Sequence, residues 1–158
     1  MILRPPLVYG PDARGNFARL VALVARGVPL PLGAVRNRRS LIFVGNLVAA
    51  IVRALDHSAA AGETFMVSDG EDLSTPDLVR RIARALGKPA RLIPVPTAFL
   101  RLGGALAGRS DDVARLLDDR VVDSSRIRAQ LDWTPPFRLD EALALSAGPP
   151  GDALEASL

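Results

Sequence analysis

Apolar positions recur at helical spacing in several long stretches of the chain and gather into short runs between them. Ile2-Leu3-Arg4 reads as a core-like strand, ended by Pro5-Pro6, since two successive prolines remove two ladder donors. Between Asn16 and Arg26 the apolar face is Phe17, Leu20, Val21 and Val24, which predicts a helix with Asn16 as N-cap and Gly27 just past its end. A proline-punctuated stretch, 28–33, and a loop, 34–38, lead into a strand over 40–44 and a helix over 47–55. A strand over 63–67 precedes a helix over 74–86, with Ser74 or Thr75 as its cap, Pro76 in its first turn and Gly87 at its stop. A short strand at 91–94 and helices near 97–106, 111–117, 124–131 and 139–146 complete the pattern. Residues 148–158, with Gly-Pro-Pro-Gly and no period, read as a disordered tail.

Strands separated by helices predict an α/β class with a small sheet and flanking helices, as one domain or part of one. A start methionine fused to a core-like strand leads us to expect that elements ahead of it are missing, or that this short strand packs at an edge. A chain of 158 residues can bury roughly 70% of its unfolded surface. Its 49% hydrophobic and 23% charged residues fit a soluble globular protein. The longest apolar runs, 41–44 and 47–52, fall well short of the ~20 residues that cross a bilayer, so no membrane span and no membrane partner is expected. The N-terminus lacks the pattern of a secretion signal and there is no cysteine, which makes a cytoplasmic location the expectation. The net charge of +3 is spread along the chain and only Arg36, Arg38 and Arg39 cluster, so nucleic acid is not an expected partner.

Self-contained catalytic sets are missing from the sequence. The single histidine, His57, falls at a predicted helix end, where it caps or faces solvent. Asp69, Glu71 and Asp72 lie in a turn-like segment and read as solvated loop carboxylates, so no metal site is expected. There is no G-x-x-x-x-G-K-[ST] loop and no G-x-G-x-x-G after a strand. Gly103-Gly104 sits among helical residues and suggests no ligand.

Arg4-Pro5-Pro6-Leu7-Val8-Tyr9-Gly10-Pro11, then Asn16, then Arg39 to Leu47, come in a telling order. Glu63 to Ser68, Val122-Asp123-Ser124-Ser125-Arg126, Leu131 to Pro136 and Leu139 to Leu143 extend it. Together they resemble the C-terminal, substrate-binding half of the extended short-chain dehydrogenase/reductase family, in its NAD-dependent, UDP-glucose 4-epimerase-like epimerase/dehydratase group. The resemblance runs from Ile2 to about Ser146. It implies the C-terminal part of an extended Rossmann-type fold, with residues 1–147 forming the nucleotide-sugar portion. It implies NAD as cofactor, beside Pro5 and Pro6, and a UDP-sugar or other nucleotide sugar as ligand. Substrate contacts would come from Leu7, Asn16, Leu30, Leu32 and Arg39, with Arg39 on the diphosphate and Leu30-Pro31-Leu32 on the base.

Each of these residues also has a plainer role: surface arginine for Arg39, helix cap for Asn16, strand terminator for Pro5 and Pro6, edge packing for Leu30 to Leu32. Tyr9 reads as a turn-packing aromatic. The chain departs from the family in lacking the Y-x-x-x-K pair and the glycine-rich cofactor turn, since its only tyrosine is Tyr9 and its only lysine Lys88. Many relatives carry Asn where Leu7 stands, and a second diphosphate arginine could be Arg109, Arg115 or Arg120. The expectation is therefore part of an epimerase, inactive alone and completed by a separate cofactor-binding polypeptide. A stand-alone binding or interaction module, a truncated gene product and a dehydratase fragment are the alternatives.

Overall fold

A computed structural model describes residues 1–11, 13 and 15–148. Two short strands open the chain, β1 (Ile2–Arg4) and β2 (Leu7–Tyr9), followed by α1 (Asn16–Ala25), β3 (Leu41–Phe43), α2 (Val44–Asp56), a 3-10 turn (Ser58–Ala60) and β4 (Thr64–Met66). Five helices follow: α3 (Thr75–Ala85), α4 (Thr97–Leu106), α5 (Ser110–Leu117), α6 (Ser125–Leu131) and α7 (Leu139–Ala147). The strands form two parallel pairs, β1 with β4 (Leu3 opposite Phe65) and β2 with β3 (Val8 opposite Ile42). The fold is thus α/β, with small parallel sheets flanked by helices.

Pro5-Pro6 does end β1, as its missing donors require. The chain then steps sideways and resumes at once as β2 in the second sheet, a strand that the proline pair conceals in the sequence. Helix α2 begins at Val44, ahead of the predicted Leu47, because the extended Phe43 serves as its N-cap. Asn16 is the first residue of α1 and not its cap. Gly15, at φ 88°, holds the cap position, and no side chain there bonds the helix N-terminus. Helix α3 starts as its sequence dictates: Ser74 Oγ accepts the Asp77 amide, Pro76 occupies the first turn, and Gly87 takes the left-handed conformation past the end. The tail from Pro149 onward lies outside the described residues.

Strand β3 is buried along its whole length, and its alternation divides the core. Leu41 and Phe43 join a cluster with Tyr9, Phe17, Leu30, Leu32, Leu78, Ile82 and Leu143. Ile42 points the other way, into Phe65, Val67, Ile127, Leu131 and Trp133. Helix α3 presents Leu78, Val79, Ile82 and Ala83 to the first cluster and packs against α1 and α7.

Candidate functional site

Leu7, Asn16, Leu30, Leu32 and Arg39 come from β2, the start of α1, and the segment before β3, yet all five line one cleft of about 410 Å³. Phe17, Leu20, Leu23 and Leu78 add to its apolar lining, and Arg19, Arg109 and Arg115 join Arg39. Among the described residues four arginines and no carboxylate line this space, so its electrostatics suit an anion beside an apolar group.

Arg39 is placed by its backbone. Its amide donates to the Leu73 carbonyl and its carbonyl accepts from the Leu73 amide, both at 2.9 Å, while the chain at Arg120 pairs along its other edge. The half-buried guanidinium makes no hydrogen bond or ion pair among the described residues. Burial, and next the charge of Arg120, pull its pKa below the ordinary arginine value, with Asp118 acting in the opposite sense. It remains a cation. A partly desolvated, unpaired guanidinium gains from a ligand oxygen what it has lost from water.

Of the three candidate second arginines, Arg109 and Arg115 line the cleft. Arg120 does not, since its backbone is bound to Arg38 and Ser40 alongside Arg39. Helix α5 is brought to the cleft by its contact with α4, where Gly104 leaves room for Val113: a Cβ at Gly104 would lie 2.6 Å from Val113 Cγ2. The sequence singles out Gly103-Gly104 without assigning it a purpose, and close helix packing is that purpose.

Asp69 departs most from expectation. Instead of a solvated loop carboxylate, it is the acceptor at the centre of a polar node. Tyr9 Oη donates to it at 2.8 Å, Asn46 Nδ2 at 2.7 Å and the Phe43 amide at 3.0 Å. Asn46, wholly buried, also donates to the Phe137 carbonyl at 3.0 Å and accepts from the Phe137 amide at 2.9 Å. The Tyr9 ring packs against Phe17 and Phe43, and burial first, then the Asp69 charge, drives its phenol pKa well above the ordinary value. Tyr9 therefore holds its proton and serves as a packing and anchoring residue, not as a base. His57 caps the 3-10 turn, its Nδ1 accepting the Ala59 amide. No group of three or more metal-ligating side chains occurs among the described residues.

Known proteins resemble this chain in sequence and in fold. Residues 1–68 match the NAD dependent epimerase/dehydratase family. In sequence the chain is similar to the UDP-glucose 4-epimerases: one from Vibrio cholerae is 46% identical over 148 residues, 93% of this chain and 45% of that protein. A nucleoside-diphosphate-sugar epimerase from Pseudomonas aeruginosa superposes with a TM-score of 0.72 and 26% identity, over 98% of this chain and 47% of the other. A UDP-glucose 4-epimerase from Thermotoga maritima, solved with UDP-glucose, shares the fold at a TM-score of 0.65 and 18% identity, over 98% of this chain and 45% of that one. The chain thus spans less than half the length of the relatives it matches.

The family's NAD meets only a fragment of a site here. Pro5 and Pro6 lie at the step between β1 and β2, outside the cleft, and the sequence holds no glycine-rich turn to seat a pyrophosphate. Tyr9, the sole tyrosine, is committed to Asp69. These residues do not make a complete NAD site.

Proposed function

We propose that this chain supplies the nucleotide-sugar side of an NAD-dependent nucleotide-sugar 4-epimerase of the UDP-glucose type, and that its cleft binds the UDP part of the substrate. The observation that carries this reading is the cleft's composition among the described residues: four arginines, no carboxylate and a leucine-rich wall. Arg39, unpaired and half-buried, faces the diphosphate, with Arg109 and Arg115 closing on it from α5 and its approach. Leu30 and Leu32 flank the base, and Asn16, in the first turn of α1, supplies a neutral amide to a phosphate or sugar oxygen. The backbone amides of that first turn favour the same anion.

Oxidation and re-reduction of the sugar require a general base and NAD, which in this reading reside on a second α/β unit. The seat for that unit is the exposed apolar surface of β1, β2 and α2, where Ile2, Val8, Val48 and Val52 are each at least one-third exposed. A dehydratase is disfavoured because elimination needs further acid and base groups, and Asp69 is already saturated with donors.

Titration calorimetry of the 158-residue chain with UDP-glucose tests the assignment. Saturable heat is expected, and Arg39→Ala should weaken affinity by about tenfold or more, since a charge-assisted hydrogen bond contributes about 1.5–3 kcal/mol. No heat at millimolar ligand would refute the binding assignment.

A further inference from the structure

Asn37 stands two residues ahead of Arg39, is 3% exposed and lies outside the lining of the cleft. Its amide joins the ends of two helices. The Oδ1 atom accepts the Thr75 amide at 2.8 Å, at the first residue of α3, and Nδ2 donates to the Leu116 carbonyl at 2.9 Å, in the last turn of α5. Thr75, itself buried, directs its hydroxyl at the same carbonyl from 3.4 Å.

A helix leaves its first N–H groups and its last C=O groups without partners of its own, the former at its positive end and the latter at its negative end. An uncharged amide answers both, turning its oxygen to α3 and its nitrogen to α5. A carboxylate in its place would accept from Thr75 but meet the Leu116 carbonyl with no proton to give. Burial makes either bond costly to lose, so three segments are held in one arrangement. Both partners, Thr75 and Leu116, line the cleft. Leu116 directly follows Arg115, while Arg39 lies just beyond Asn37, on the segment that pairs with Leu73 and Arg120. Nearer its start, α5 is held at Val113 by the close approach of Gly104 from α4.

Resting on the reading of the cleft as the UDP site, we infer that Asn37 is a positioning residue for the diphosphate. By tying the last turn of α5 to the segment that carries Arg39, it fixes Arg115 relative to Arg39, so that both guanidinium groups meet one diphosphate. Arg115 is exposed, and its place is set by the helix that bears it. Loss of the Asn37 amide frees the end of that helix and lets the two cations drift apart. Ligand binding must then supply the ordering that the fold otherwise supplies in advance.

The experiment is a double-mutant cycle on the whole chain, read by calorimetry with UDP-glucose. Asn37→Ala should weaken affinity about fivefold, and the loss should shrink to less than about twofold where Arg115→Ala is already present, because residues that act through one another are not additive. With Arg19→Ala present instead, an arginine that comes from α1 and is not held by Asn37, the loss should remain about fivefold. A residue that only stabilises the fold would cost the same in all three backgrounds. Amide hydrogen exchange of the ligand-free chain is the second readout. The isosteric Asn37→Asp keeps the Thr75 bond and loses the Leu116 bond, so the Asp118 amide, bonded to the Ala114 carbonyl at the end of α5, should exchange about tenfold faster while the amides of α7 keep the parent rate. Asn37→Asp also carries the cycle where Asn37→Ala does not fold. No loss from Asn37→Ala, equal losses in all three backgrounds, or unchanged exchange at the end of α5 overturns this role for Asn37 and leaves the nucleotide-sugar reading standing. Absence of heat from the parent chain overturns that reading, and this role with it.

Discussion

A phenol 2.8 Å from a carboxylate and shut off from water gives up its proton only when the fold is lost. The ordinary tyrosine pKa is about 10 in an unfolded chain, and the folded value of Tyr9 lies well above it, with burial the leading cause and Asp69 the next. A raised folded pKa means that this contribution to stability is complete below about pH 10. It is lost as pH climbs from there toward the folded value. Since Tyr9 is the only tyrosine, tyrosinate absorbance should rise together with alkaline unfolding followed by circular dichroism. A tyrosinate signal near pH 10 in a still-folded chain would contradict the Asp69 contact. Tyr9→Phe should lower stability by about 1–2 kcal/mol, measured by urea unfolding, with the carboxylate keeping its two other donors. The packing role of Tyr9 was legible in the sequence, and so were the five residues that line the cleft, because ordered motifs carry them. The role of Asp69 was not. Its acidic, turn-rich neighbourhood reads as solvated, and only the tertiary fold brings it to Tyr9, Phe43 and Asn46.

At the scale of elements, α4 and α5 approach through Gly104 and Val113. Gly104→Val should force the pair apart, with a cost of about 1–3 kcal/mol from overpacking, since the added Cβ alone would lie 2.6 Å from a stiff β-branched side chain. Because α5 carries Val113, Arg115 and Leu116 of the cleft, UDP-glucose affinity should fall with the melting temperature. Unchanged melting and binding would show that this contact does not position the cleft. At the start of α3, Ser74→Ala should cost about 1 kcal/mol through loss of the cap, read by thermal melting. Helices were the legible part of the fold: α4 lies where its periodicity places it, and α3 begins and ends at the cap and glycine that announce it. Strand β2 was hidden because three residues hold too little alternation to register, and the adjoining prolines read as a stop when they are a step between two sheets. Which of Arg109, Arg115 and Arg120 reaches the cleft was equally hidden, since that depends on how α5 is aimed by its packing.

For the molecule as a whole, two parallel sheets of two strands each leave strand edges open and one apolar flank uncovered, a state parallel sheets seldom tolerate in isolation. We expect no epimerase turnover from this chain with NAD and UDP-glucose, assayed by formation of the 4-epimer against a buffer blank. We expect it to co-purify with the NAD-binding half of a homologous epimerase supplied as a separate polypeptide. Failure to associate at micromolar concentrations would argue against the seat on β1, β2 and α2. Asn46, meanwhile, makes two bonds to Phe137, 91 positions further along the sequence. At a translation rate of about 5–20 residues per second, that partner emerges roughly 5–20 s after Asn46 does. A nascent chain halted before Phe137 would thus hold this amide through Asp69 alone, its Oδ1 without a donor, and would stay open to proteases or in need of a chaperone until Phe137 left the ribosome.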